Sequence, residues 1–302
     1  MKPAALPSPS ALAQAFLEQC RSERRLSPLT VSSYARDLLP LLTLCEQTPL
    51  SALSPQHLRR CVGQLHGGGL SGRSLGRMLS AWRGFFSYLV ARQVLAHNPC
   101  SAIRAPKSPK TLPHALSPDR AQRLMQPLGA SFLAVRDHAL LELFYSSGLR
   151  LAELAGLKLK DLEPAEGTVR VLGKGSKVRI VPVGRKAWEA LALWQQVRLI
   201  PAQRSNCEQL FVTAQGKPLR ARSIQTRVAL RARQLGLEDG VHPHVLRHSF
   251  ASHLLQSSGD LRAVQEMMGH ASIVSTQVYT HLDFQHLAQV YDAAHPRARR
   301  KP

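Results

Sequence analysis

Residues 242–281 read HPHVLRHSFASHLLQSSGDLRAVQEMMGHASIVSTQVYTH. Leu246, Phe250 and Leu254 recur at the spacing of a helix stripe that turns inward, and His244 and Arg247 lie off that stripe near the helix start. Gly269 suits the end of the following helix, which leaves His270 in the turn after it. Ser272 suits the cap of a last segment carrying Tyr279. The stretch therefore reads as helices with polar, reactive side chains gathered near their ends.

Working upstream, Thr168 to Val183 changes period. Val169 and Val171, then Val178 and Ile180, alternate with polar residues on either side of Gly173-Lys174-Gly175-Ser176, the pattern of a β-hairpin with Lys174 at its tip. Before it, Phe132 to Tyr145 is a strongly apolar helix that stops at Ser146, Ser147 and Gly148, and Arg150 opens the short helix LRLAELAGL. Taken alone, Arg150 is a surface arginine paired with Glu153, and Lys174 a solvated turn lysine. The glycines around Lys174 lack the full GxxxxGK[ST] pattern, which argues against a nucleotide loop.

The first hundred residues are different in kind. Residues 11–93 read as about four amphipathic helices, with Ser27-Pro28 and Ser54-Pro55 as starts in which serine caps and proline takes the first helical position. In GRSLGRMLSAWRGFFSYLVARQ, Leu75, Leu79, Trp82, Phe86 and Leu89 share one stripe, while Arg73, Arg77 and Arg83 form a basic outer face. HNPCSAIRAPKSPKTLP, residues 97–113, carries four prolines and no apolar period, as a linker does. The expected division is a helical module over residues 1–96, a linker over 97–113, and a second domain over 114–302. The fold class is mainly α with a small β-sheet.

Charge narrows the partner. Forty Lys and Arg face nineteen Asp and Glu, a formal net charge of +21 over 302 residues. Residues 1–110 hold 14 basic and 4 acidic residues and residues 111–302 hold 26 and 15, so both parts are set to touch a polyanion. Aromatic content of 5% makes base stacking a poor principal mode, and duplex DNA held by its backbone fits better. The start of the chain has no unbroken apolar stretch, and no window approaches the ~18 apolar residues of a membrane span, so a cytoplasmic location is expected. Five widely spaced cysteines without a CxxC pair argue against disulfides and structural zinc.

His244 and His248 stand four apart, as zinc ligands on a helix can, but Val245 occupies the place where HExxH needs its glutamate. A better use of the spacing is an anion site: His244 and Arg247 lie beside a helix N-terminus, whose N–H groups and partial positive charge favour phosphate. The Tyr279 phenol is a poor nucleophile at its free pKa of roughly 10, so a catalytic role requires positive charge and a base nearby. Two arginines, a lysine and two histidines meet that need, with no carboxylate pair beside them to hold a metal. The combination points to covalent, metal-free phosphoryl transfer.

Arg150 within SSGLRLAELAGL, Lys174 within GKGSKVRIVPVG, HVLRH at 244–248, Gly269-His270 and VYTHL around Tyr279 together resemble the tyrosine recombinase (phage integrase) family, in the family's order. Met268 and Val178 depart from its usual residues, neither at a catalytic position. The resemblance implies an N-terminal helical core-binding (SAM-like) domain and a C-terminal α+β catalytic domain, closing on double-stranded DNA as a C-shaped clamp. It implies that Tyr279 attacks the phosphodiester to give a 3'-phosphotyrosyl link, that Arg150 and Arg247 bind the non-bridging oxygens, and that Lys174 protonates the leaving 5'-oxygen. His244 then accepts the tyrosine proton and helps to position the phosphate, and His270 hydrogen-bonds it. No cofactor, metal or ATP is implied.

The implied partners are a second recombinase of the family, two copies of each around a Holliday junction, and a septal DNA translocase as activator. The implied task is the resolution of chromosome dimers at cell division. The absence of further sequence before the helical module favours this over the integrase of a mobile element, and a non-catalytic DNA-binding protein is the other alternative. Phe284, Leu287, Val290 and Tyr291, at helical spacing, suit a helix docked either on a neighbouring protomer or within the chain.

Overall fold

A computed structural model describes residues 7–107, 115–127, 129–173, 178–237, 240–268, 290, 291 and 294. The chain splits into two compact units, Met1–Thr111 and Leu112–Pro302.

The first unit contains α1 (Pro9–Ser22), α2 (Pro28–Gln47), α3 (Pro55–Gly67) and α4 (Gly72–Ala91). Ser8, Ser27 and Ser54 each accept a backbone N–H of the first turn and are each followed by proline, and Ser71 caps α4 in the same way. Leu75, Leu79, Trp82, Phe86 and Leu89 of α4 are all fully buried, and Phe16 of α1 meets Phe85 and Tyr88 at ring distances of 5.7 Å. Trp82 Nε1 donates to the Asp37 carbonyl of α2 at 2.7 Å, so the largest core side chain leaves no polar atom orphaned. The core also takes in Cys100 and Ile103, beyond residue 96. The outer face is less open than the sequence suggests. Arg73 is exposed, but Arg77 engages the buried Asp37 carboxylate and half-buried Arg83 donates to the Ile103 carbonyl at 2.8 Å.

The second unit is built on α6 (Phe132–Ser147), buried without a break from Ala139 onward, as a helix apolar on all sides must be. It packs against α5 (Pro118–Met125), α8 (Arg185–Ser205) and α10 (Pro243–Ser258), with α7 (Leu151–Gly156), α9 (Ala221–Gln234) and α11 (Leu261–Met268) completing the helical part. Trp194 of α8 is fully buried against Phe132 and Phe211 and donates to the Leu210 carbonyl at 2.9 Å. The segment entering the unit is tied down at Leu116. Its N–H donates to Ser249 Oγ at 2.8 Å and its carbonyl accepts from His253 Nε2 at 2.8 Å. Burial holds the His253 pKa down, and the neutral ring then accepts the Tyr145 hydroxyl at Nδ1, 2.6 Å away.

Three antiparallel strands, β1 (Leu162–Glu163), β2 (Thr168–Leu172) and β3 (Val178–Pro182), form the sheet in the order β1-β2-β3. Val169, Val171 and Val181 face the core, whereas Leu172, Val178 and Ile180 are half or more exposed. The register explains the inversion on β3. Val171 lies opposite Arg179, so Arg179 takes the inward position and its valine and isoleucine neighbours face out.

Val290, Tyr291 and Ala294 pack on Phe250 and Leu254 of their own chain, and the Tyr291 hydroxyl meets Ser146 Oγ at 2.6 Å. Phe284 and Leu287 lie outside the described residues. No helix among the described residues is long and apolar enough to cross a membrane. All five cysteines are free thiols, and burial pushes Cys45 and Cys100 up to about 11.

Candidate active site

Arg150 owes its position to the end of α6. Gly148 closes that helix in the left-handed region, φ 56°, and a Cβ there would stand 2.3 Å from the Phe250 ring of α10. Only glycine lets α6 and α10 approach so closely. The chain then runs through buried Leu149 to Arg150, the residue before the first turn of α7. Glu153 accepts the Arg150 backbone N–H at 2.7 Å and its Nη1 at 2.9 Å. The pairing with Glu153 thus exists, and the Arg150 side chain is 40% exposed.

Arg247, on the first turns of α10, is buried. Its Nη1 donates to the Gly148 carbonyl and its Nη2 to the Met268 carbonyl. Both acceptors stand two residues ahead of a sequence-predicted site residue, Arg150 in one case and His270 in the other. Burial, aided by the charges of Arg150 and Arg179, pulls Arg247 down to about 10, so it stays a cation at neutral pH. His244 is exposed in the first turn of α10, and its ring stands 6.0 Å from that of His242 at a steep angle. Burial lowers the His242 pKa, and His244 lowers it further.

Arg150, His244 and Arg247 thus occupy two neighbouring helix starts joined by an arginine–carbonyl contact. Lys174, His270 and Tyr279 lie outside the described residues, although the strands leading to and from Lys174 are in place. Among the described residues no group of three or more His, Cys, Asp or Glu side chains is arranged to hold a metal ion.

Two charged groups at the site carry no motif of their own. From sequence Glu153 reads only as an ion-pair partner for Arg150, and Arg179 as one polar residue in a strand. Arg179 donates from Nη1 and Nη2 to the two carboxylate oxygens of Glu153 at 2.6 and 2.9 Å. Burial pushes the Glu153 carboxyl up, but hydrogen bonds from Arg179 and from the Arg150 backbone, together with the Arg179 charge, outweigh it and bring the group down to about 2. One carboxylate therefore sits among three guanidinium groups, a cluster with positive charge to spare for a phosphate. The signal for Arg179 was its place in the alternation Val178-Arg179-Ile180, which puts it on the face opposite its apolar neighbours.

The family model for phage integrases matches residues 114–286 of this chain, and that for their N-terminal SAM-like domain matches residues 13–93. The chain belongs to the phage integrase family. It is 54% identical over 310 residues to tyrosine recombinase XerC 1 of Ralstonia nicotianae, covering 95% of this chain and 94% of that protein. It is 54% identical over 294 residues to tyrosine recombinase XerC of Pseudomonas aeruginosa, covering 95% of each. Among solved structures, the XerH site-specific recombinase bound to a palindromic difH substrate in a post-cleavage complex superposes with a TM-score of 0.68 at 25% identity, covering 93% of this chain and 84% of that one. The mainly helical fold with a small sheet and a SAM-like N-terminal domain is the one the motifs implied. As a phage integrase family member the chain is a site-specific DNA recombinase, and DNA is the polyanion its charge anticipates.

Proposed function

We propose that this recombinase cuts and rejoins DNA through Tyr279, forming a 3'-phosphotyrosine and freeing a 5'-hydroxyl that attacks the partner strand by way of a Holliday junction. In this reading Arg150 and Arg247 hold the non-bridging oxygens and neutralise the charge that grows in the transition state, and Lys174 protonates the leaving 5'-oxygen. His244 takes the tyrosine proton, and His270 hydrogen-bonds the phosphate. The covalent link keeps the bond energy, so the cycle calls for neither ATP nor a metal ion. The observation that carries the reading is the double anchorage of Arg247 on the Gly148 and Met268 carbonyls, because these lead within two residues to Arg150 and His270.

The same reading assigns residues 1–96 as the core-binding domain, 97–113 as the linker and 114–302 as the catalytic domain. The XerC relatives and the XerH–difH complex support a dif-like site as substrate. In this reading a XerD-like recombinase is the partner in a tetramer of two and two. An FtsK-like translocase then serves as activator, and the work is chromosome dimer resolution in the cytoplasm.

A nicked suicide duplex carrying a dif-like site tests the chemistry. Wild type is expected to accumulate a covalent protein–DNA adduct and Tyr279→Phe none; equal adducts from both would sink the assignment of the nucleophile. Adding the XerD-like partner and a second site is expected to give strand exchange. Relaxation of supercoils by the single protein without exchange would point to a topoisomerase.

A further inference from the structure

Arg179 is an unusual residue for its position. It stands inward on β3 opposite buried Val171 and next to the fully buried pair Val169–Val181, and its side chain is only 11% exposed. An aliphatic side chain would fill that place at no electrostatic cost, whereas a buried arginine–glutamate pair generally does no better for stability than the apolar residues it displaces. The pair is therefore better explained by what it holds.

The Glu153 carboxylate is shared evenly. Arg179 supplies one N–H to each oxygen from β3, and Arg150 supplies one to each from the start of α7, by its backbone N–H and by Nη1. The two arginines differ in exposure. Arg150 is 40% exposed and, on the proposed function, turns toward the arriving phosphate, whereas Arg179 is 11% exposed. When Arg150 turns, the two bonds from Arg179 keep the carboxylate ionised and in place, and the carboxylate keeps the Arg150 backbone N–H. β3 is also the strand that leads out from the Lys174 turn, so the same contact fixes the hairpin against the Arg150 segment.

We propose that Arg179 is a positioning residue for recombination: it clamps Glu153 and thereby holds Arg150 in register with the hairpin that bears Lys174. The proposal rests on the reading of Arg150 as a phosphate ligand. It predicts that loss of Arg179 slows cleavage only insofar as Arg150 is there to be positioned.

The test is a mutant cycle on the suicide duplex, read as single-turnover cleavage rate, with affinity for the uncleaved duplex and thermal melting measured alongside. Arg179→Met, of similar length and uncharged, is expected to slow cleavage by on the order of 10- to 100-fold, the cost of a small misplacement of a reacting group. Duplex affinity should stay within about threefold, since the interaction lost is not one with the bound DNA. In an Arg150→Lys background, already slow because lysine lacks the fork, the same substitution is expected to cost less than about threefold, the signature of coupled sites. Equal costs in the two backgrounds, or a rate within about twofold of wild type for Arg179→Met alone, would overturn the proposal. Should Arg179→Met melt before the assay temperature, Arg179→Lys takes its place in the same cycle, read by the same criteria. Wild-type cleavage by Arg150→Lys would overturn instead the underlying reading of Arg150, a result separate from any obtained at position 179.

Discussion

Helix α4 and strand β3 obey opposite rules. On α4 the apolar stripe Leu75, Leu79, Trp82, Phe86 and Leu89 faces the core and the arginines stay on its margins, as the 3.6-residue period dictates. On β3 the period is equally clear, yet Val178 and Ile180 face outward and the arginine between them faces in. The difference lies in what each inner face serves. The inner face of α4 serves packing alone, so hydrophobic burial decides its phase. That of β3 ends at Glu153, beside Arg150 and Arg247, and there a charge placed for chemistry overrides the burial of two aliphatic side chains.

Removal of Trp82 should give the largest effect and marks the α4 end of the comparison. Trp82 is fully buried and its indole N–H is used by the Asp37 carbonyl. Trp82→Ala is expected to destabilise the N-terminal unit by about 3–5 kcal/mol, through lost burial, a cavity and the loss of the indole hydrogen bond to α2. Urea unfolding of the whole chain followed by circular dichroism should show an early loss of helix. An unchanged profile would mean that the α4 stripe is not what holds this unit together.

Acid should act at the β3 end. Glu153 is held down to about 2 from an ordinary value of 4.5, so its ionised pairing stabilises the fold fully above about pH 4.5 and is lost as pH falls through that range toward 2. The contribution is on the order of 3 kcal/mol, and Glu153→Gln, which cannot ionise, should abolish that part of the acid dependence while lowering stability at neutral pH. Stability curves of wild type and Glu153→Gln measured between pH 6 and the acid transition decide the matter. Parallel curves would remove Glu153 from the account.

Much of this molecule was legible in its sequence because its first unit follows simple rules. Serine caps with proline in the next position mark α1, α2 and α3, and a stripe of large apolar residues marks α4. The helical stop at Gly148 was legible too, but its reason was not, since the contact with Phe250 joins residues a hundred apart. Arg150 and Arg247 are identifiable by motif, whereas the carbonyls that orient Arg247 belong to a glycine and a methionine with no chemical signature. Arg83 shows the converse: read as part of a basic face, it is spent on the Ile103 carbonyl, a partner in what reads as linker. Tyr291 carries the same lesson, because helical spacing fits a neighbouring protomer and its own chain equally, and nothing in the spacing marks Ser146, whose hydroxyl meets that of Tyr291 within this chain.

The smallest effect gives the finest test of the comparison, at two adjacent residues of β3. Ile180 is 50% exposed and Val181 is fully buried, so the register makes opposite forecasts for the same new side chain. Threonine keeps β-branching at both places and leaves strand preference nearly constant, which isolates burial as the variable. Ile180→Thr should change stability by no more than about 0.5 kcal/mol, the usual range for a surface substitution. Val181→Thr places a hydroxyl in the core and should cost about 1–3 kcal/mol. Paired thermal melts give the difference directly. A larger cost at Ile180 than at Val181 would reverse the phase of β3, and with it the inward placement of Arg179.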